Sequence, residues 1–235
     1  MIRLTIVGAA GRMGARTCSL ARDDPRFDLV ARIDLRADGD TVRRLEAPCD
    51  VVIDFSSDEG ARGAASMALE HRAALLVCTT GLSPQTLSTI EVASRSIPVV
   101  VAANTSAGVA VMNHLASEAA RLLGPAYHVD IIEVHHAAKR DAPSGTALRI
   151  ADAIRRRAGI SLPPQRLHSI RAGDVVGEHT VEFAGPGERL RIIHMATSRD
   201  LFAQGALNAA VWLHGRPPGR YTIEQSLGLE PAPSC

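Results

Sequence analysis

Aromatic residues are scarce in this 235-residue chain: Phe, Tyr and Trp together make up 3%. Its core must therefore be built from Ala, Val, Leu and Ile, which dominate an apolar content of 46%. Net charge is also nearly absent, +1 with His neutral. Such a surface has no bulk field to draw in nucleic acid or a membrane. No apolar run reaches the length of a transmembrane helix. The chain opens in a strand-like segment with no signal-peptide pattern, so the expected location is cytoplasmic. Cysteine is limited to Cys18, Cys49, Cys78 and Cys235, scattered without a CxxC pair. They read as reduced thiols, not as a disulfide framework or zinc site. Lysine is the rarest basic residue: of 26 Lys and Arg, only Lys139 is lysine.

That lysine lies in the stretch around which the chain is organised, EVHHAAKRDAPSGTA at 133–147. A lone lysine among arginines points to a need for a compact ammonium that can give up a proton. His135 and Lys139 are four apart; they share a face on a helical turn and can also converge from an extended segment running into a loop. Pro143 suits the first turn of a helix, with Ser144 or Asp141 as cap. Open backbone amides at Ser144, Gly145 and Thr146 then form an anion pocket. Together these groups fit a small carboxylate-bearing substrate. The plainer reading is a surface loop leading into a capped helix. His135 and His136 project differently, and no neighbouring Cys, Asp or Glu completes a metal spacing, so no metal site is expected.

Residues 2–7 form a short apolar strand, followed by Gly8, Gly11 and Gly14, then helix over 15–21. A second strand at 27–33 ends in Asp34. Strand, glycine turn, helix, strand and acid in this order read as a dinucleotide site. A carboxylate at Asp34 favours NADH over NADPH by repelling a 2′-phosphate, although Arg12 and Arg36 are close enough in sequence to offset it. Strands at 51–55, 75–77 and 98–102 alternate with helices at 58–71 and 84–94, which predicts a parallel sheet covered on both faces. Gly8, Asp34, Phe55, Thr79, Thr80 and Asn104 fall at the strands' carboxyl ends, where such sheets bind ligands. Residues 35–48 read as a polar loop. Beyond 106 come a helix at 109–123, a strand at 128–134, a helix at 144–157 and strands at 165–171, 179–183 and 190–195. This is an α+β pattern. A helix at 199–213 returns to the first domain, and a brief strand at 221–223 lies in the tail.

The chain resembles the 4-hydroxy-tetrahydrodipicolinate (dihydrodipicolinate) reductase family of bacterial lysine and diaminopimelate biosynthesis. The resemblance spans nearly its whole length. It is carried by GAAGRMG at 8–14, VIDFS at 52–56, TTG at 79–81, AANTSAGV at 102–109, the 133–147 stretch, IRAGDVVGEHTVEF at 170–183 and SRDLFAQGAL at 198–207.

The resemblance implies an α/β fold: a Rossmann-type dinucleotide-binding domain at 1–105 and 199–235, and an α+β substrate and tetramerisation domain with a mixed sheet at 106–198. It implies a homotetramer, hinge closure, and NADH- or NADPH-dependent reduction of a cyclic dicarboxylate. His135 falls on the catalytic acid/base, Lys139 on a second proton donor, and His136 on a substrate ligand. Gly145 and Thr146, with Ser144 beside them, fall on the carboxylate clamp. Gly8, Ala9, Ala10, Gly11, Arg12, Met13, Asp34, Phe55, Cys78, Thr79, Thr80, Ala102, Ala103, Asn104 and Thr105 fall on cofactor-binding segments. Arg199 and Phe202 match a segment near the cofactor. The chain departs from the family pattern in a shorter connection after Asp34. Ser57 and Leu35 stand where some members carry arginines, which weakens the case for NADPH. Cys78 replaces a usual glycine and Thr105 a usual aromatic, which bears on nicotinamide positioning. Two other readings follow from the residues: a related reductase for another cyclic imine or dihydropyridine, and a non-catalytic nucleotide-binding module.

Overall fold

A computed structural model describes residues 1–34 and 47–230. Leu35, Arg36 and most of the shortened connection lie outside the described residues. In chain order the first elements are β1 (Ile2–Val7), α1 (Arg12–Arg22), β2 (Phe27–Ile33), β3 (Val51–Asp54), α2 (Asp58–His71), β4 (Ala74–Val77), α3 (Pro84–Ser94) and β5 (Pro98–Val101). Then come α4 (Ala107–Leu123), β6 (His128–His135), α5 (Gly145–Ala158), β7 (Leu167–Arg171), β8 (Gly177–Gly185) and β9 (Glu188–Ala196). The last are α6 (Asp200–Leu213), β10 (Gly219–Tyr221) and α7 (Ile223–Ser226). The chain divides into two compact units, 1–106 with 200–235, and 107–199.

The first unit is built on a six-stranded parallel sheet in the order β10-β5-β4-β3-β1-β2. Its central strands, VVID and ALLV, are buried at every position, as expected of strands covered on both faces. Helices α2 and α3 pack together on one layer, and α1 with α6 on another. The α2 surface against the sheet is Ala61, Ala64, Ala65 and Ala68, a helical stripe without bulk. They meet Val52, Leu75, Val77 and Val99. Small residues let helix and sheet approach closely, so the shortage of aromatics costs no core. Ser57 caps α2, its side chain accepting from the Gly60 amide at 3.2 Å.

The helix after the glycine turn begins earlier than its apolar pattern indicates, at Arg12, because Gly11 already serves as the N-cap. In the tail, the strand ends at Tyr221. Residues 223–226 form a helical turn instead, held by a reciprocal capping box between Thr222 and Gln225.

The second unit has a four-stranded mixed sheet in the order β7-β6-β8-β9. β6 and β7 are parallel, while β6–β8 and β8–β9 are antiparallel. A two-residue turn at Pro186-Gly187 joins the long hairpin β8–β9, both of whose strands extend past the apolar cores read from sequence. One face of the sheet, with Val129, Ile131, Val181 and Phe183, packs on Met112 and Ala116 of α4 and Ile150 and Ile154 of α5. Among the described residues, no helix is long and apolar enough to cross a membrane.

Candidate active site

In the first unit the strand ends converge on a cleft of about 740 Å³. Gly8 has φ +78°, and a Cβ on it would lie 2.4 Å from the Phe55 carbonyl oxygen. A Cβ on Gly14 would lie 2.0 Å from the Gly8 carbonyl oxygen. Only glycine permits this turn. It leads into α1, whose Gly11 cap offers no side chain to the first amides. Those amides are a ready site for a phosphate. Asp34 follows β2 directly, and its Oδ2 accepts a hydrogen bond from the Ala10 amide at 3.0 Å. A pyrophosphate at the glycine turn and a ribose at Asp34 therefore fit the residues present. Behind the cleft Asp54 is fully buried. It accepts from Thr79 Oγ1 at 2.6 Å and from the Ser56 amide at 3.1 Å. Burial pushes its carboxyl up, against those hydrogen bonds. Burial likewise pushes the Cys78 thiol well up, with Asp54 adding to it.

In the second unit the 133–147 stretch runs off the end of β6 into a loop and then into α5. His135 closes the strand; Lys139 lies in the loop, its amide donating to the His136 carbonyl at 3.0 Å. The pair is therefore not on a helical turn. Lys139 Nζ lies 2.9 Å from Asp141 Oδ1. Two residues before His135, on the same face of the strand, Glu133 is fully buried. Its Oε2 takes the His135 Nδ1 hydrogen bond. Its two oxygens also accept from Arg171, Nη1 at 2.9 Å and Nη2 at 2.8 Å. Burial alone would raise the Glu133 pKa, but bonds from Arg171, Ser169 and His135 outweigh it and hold the carboxyl at about 2. With Nδ1–H donating to the Glu133 carboxylate, Nε2 is the basic nitrogen of the imidazole. That nitrogen faces Gly177 so closely that a Cβ there would stand 3.0 Å from it. Burial lowers the His135 pKa; Glu133 opposes this, and Lys139 and Arg171 reinforce it.

His179 comes from β8, opposite Glu133 in register. Its ring meets the His135 ring edge-on, centroids 5.2 Å apart. Burial first, then His135, pushes its pKa down to about 4. Its Nε2 lies 3.2 Å from Ser144 Oγ, and that hydroxyl also accepts from the Ala147 amide at 3.2 Å as the N-cap of α5. Gly145 is exposed and Thr146 buried at the start of this helix.

Two domain descriptions cover the chain. "Dihydrodipicolinate reductase, N-terminus" matches residues 2–105, and "Dihydrodipicolinate reductase, C-terminus" matches residues 108–227. The chain belongs to the dihydrodipicolinate reductase family. The 4-hydroxy-tetrahydrodipicolinate reductase of Stenotrophomonas maltophilia is 43% identical over 238 residues, covering 96% of this chain and 98% of that protein. The protein of the same name from Anaeromyxobacter dehalogenans is 40% identical over 266 residues, covering 97% and 98%. Among solved structures, dipicolinate-bound dihydrodipicolinate reductase from Paenisporosarcina sp. TG-14 matches the fold with a TM-score of 0.79, over 97% of this chain and 99% of that one. Its identity is 22%.

Set against the family's residues, the cleft brings together Gly8, Ala10, Gly11, Asp34 and Phe55. Ala9 is buried under the turn, while Arg12 is exposed and Met13 half-buried at the start of α1. Thr79 is buried on Asp54, Thr80 is exposed, and Cys78 is buried. Ala102 is buried, Ala103 exposed, and the Asn104 side chain accepts from the Ser106 amide at 2.9 Å. Thr105 Oγ1 donates to the Phe202 carbonyl at 2.6 Å. Arg199 is exposed and falls with residues 107–199. The cleft also includes Ser56 and Ser57, and with them Glu59, Gly60, Gly63, Ala64 and Met67, for which the sequence suggested no role. Their signal was present: α2 starts four residues after β3 ends, so its first turns must line the crevice.

Two expectations for the second unit are corrected. Pro143 is not in the first turn of α5 but precedes its cap, Ser144. The Ser144 amide is not open to a ligand, because it donates to Glu133 Oε1 at 3.3 Å, and its hydroxyl is taken by the cap and His179. A buried carboxylate claims the nearest amide before any ligand can.

Because Glu133 is held at about 2, below its ordinary value of 4.5, its stabilisation is complete above pH 4.5 and fades as pH falls toward 2. We expect Glu133→Gln to lower stability at pH 7 by about 3–5 kcal/mol, since it leaves the Arg171 charge uncompensated. The variant should lose less than the wild type between pH 5 and 3 on this account, as measured by chemical denaturation across about that range.

Proposed function

We propose that this chain reduces 4-hydroxy-tetrahydrodipicolinate to tetrahydrodipicolinate with NAD(P)H, NADH preferred, in cytoplasmic lysine and diaminopimelate biosynthesis. One observation carries the reading. A carboxylate-oriented imidazole, His135, ends β6 just where the chain runs through the Lys139 loop to the start of α5 at Gly145 and Thr146. Dipicolinate, the ring bound in the Paenisporosarcina structure, carries two carboxylates of the kind such a cluster would receive.

The nicotinamide cofactor, when bound, supplies a hydride. The residues of this chain supply the rest. The Lys139 ammonium and the first amides of α5, at Gly145 and Thr146, hold the ring carboxylates and fix its orientation. His136, at the mouth of the loop, is a further carboxylate ligand. Protonation of the ring falls to His135 Nε2 or to Lys139. The lowered pKa of His135 leaves its imidazole neutral at pH 7, suited to relay a proton drawn from Lys139 or from water. Ser144 has a supporting role, capping α5 and fixing Glu133.

The glycine turn and Asp34 hold the dinucleotide at its pyrophosphate and adenosine ribose. Ser57 caps α2 where an arginine for a 2′-phosphate stands in some members, in keeping with NADH. Free, buried Cys18, Cys49 and Cys78 agree with a reducing compartment.

The homotetramer is assigned to the second face of the mixed sheet. There the register aligns Ile170, Val134, Glu178 and Met195 in one row, and His168, Ile132, Thr180 and Ile193 in the next. Ile170, Ile193 and Met195 are 48%, 58% and 59% exposed, a patch of the kind that pairs with another copy.

The deciding experiment is an initial-rate assay on the lysine-pathway intermediate and on analogous cyclic imines, with both cofactors. Preference for an analogue would move the assignment to another reaction in the family, and cofactor binding without turnover would favour the non-catalytic reading. Lys139→Arg keeps the charge but should lower turnover by more than about tenfold, because arginine does not release its proton; near-wild-type rates would remove Lys139 as a donor. Asp34→Ala should weaken NADH and narrow its advantage over NADPH, read from titrations with each. Ile193→Glu should shift the sedimentation coefficient to a smaller species without changing the far-ultraviolet circular dichroism.

A further inference from the structure

We infer that Arg171 is a positioning residue for this reduction: its guanidinium fixes the His135 imidazole and the Lys139 loop in a single arrangement. The inference rests on the function proposed above. Arg171 ends β7, and the parallel register sets it beside His135 at the end of β6. From there the side chain reaches acceptors on three pieces of chain. Nη1 donates to Glu133 Oε2 at 2.9 Å and to the Ile170 carbonyl at 2.8 Å. Nη2 donates to Glu133 Oε1 at 2.8 Å and to the Asp141 carbonyl. Nε donates to the Lys139 carbonyl at 3.3 Å.

A guanidinium has five N–H donors, and each has an acceptor here inside the unit. None remains for a substrate carboxylate, so Arg171 acts through other groups. Through Glu133 it sets the His135 ring and the Ser144 amide at the start of α5. Through two carbonyls it holds the loop that carries Lys139. Both proton-handling side chains and the carboxylate-binding helix end are thereby referred to one planar group. Lysine has three donors and no plane, so it cannot reproduce the arrangement.

The test combines steady-state kinetics with nitrogen-15 NMR of the histidines in the full-length protein. Arg171→Lys, which keeps the charge, should lower kcat by about 10²-fold through misplacement of the reacting groups, with a much smaller rise in KM. Its His135 nitrogens should lose the pattern of a single Nδ1-protonated tautomer. In Arg171→Ala, millimolar guanidinium should restore part of kcat, whereas methylammonium should not. Wild-type kcat in Arg171→Lys with unchanged His135 signals would overturn the proposal. So would a rise in KM alone, which would make Arg171 a substrate ligand. An inactive wild type would instead overturn the proposed function, and the His135 signals of Arg171→Lys would still decide the role of Arg171. If Arg171→Ala does not fold, Arg171→Lys carries the decision.

Discussion

A carboxylate removed from water must be paired, and Glu133 is paired on three sides at once. Arg171 meets it with both terminal nitrogens, His135 with Nδ1, and α5 with the Ser144 amide. A buried ion pair contributes little net stability, because desolvation offsets most of its attraction. Its value here is geometric. Losing Arg171 leaves the carboxylate's charge without compensation, and losing either other donor leaves one of its oxygens short of a hydrogen bond, so the partners cannot drift independently. The imidazole is thereby held in one tautomer, and the start of α5 is tied to the end of β6. The next layer behaves the same way: His179 bridges from the His135 ring to the Ser144 hydroxyl.

The first unit depends on a steric constraint instead. At the glycine turn Gly8 passes so near the end of β3, and Gly14 of α1 so near the turn itself, that no side chain fits at either. Alanine-faced α2 exploits the same closeness on the sheet's face. A chain poor in aromatics thus reaches native packing by short distances between elements. The carbonyl ends of β1, β2 and β3 and the first turns of α2 are left lining one cleft.

Much of this was legible in the linear chain because the governing patterns are local. Helices α2 and α3 follow from capping serines and periodicity, and their ends agree with the sequence reading. Asp34 and the glycines form a contiguous βαβ signature, and His135, Lys139 and Gly145 lie within a dozen residues. Glu133 carries a signal as well, two residues before His135 on an alternating strand, but by sequence it is only the first residue of the 133–147 stretch. Arg171 and Gly177 were not legible. They reach the site only because β7 and β8 flank β6, and which strands become neighbours is a long-range choice made by the whole fold.

By itself the sequence determined the alternation of strands and helices, the glycine turn, the acid after the second strand, and the residues that can carry a proton or bind a carboxylate. Those are properties of side chains and of short segments. Tertiary structure alone decided which nitrogen of His135 is basic and that the Ser144 amide is spent on Glu133. It also decided that every donor of Arg171 is occupied. Such facts depend on who competes for each hydrogen bond, and a buried polar group takes its partner from whatever the fold places nearest.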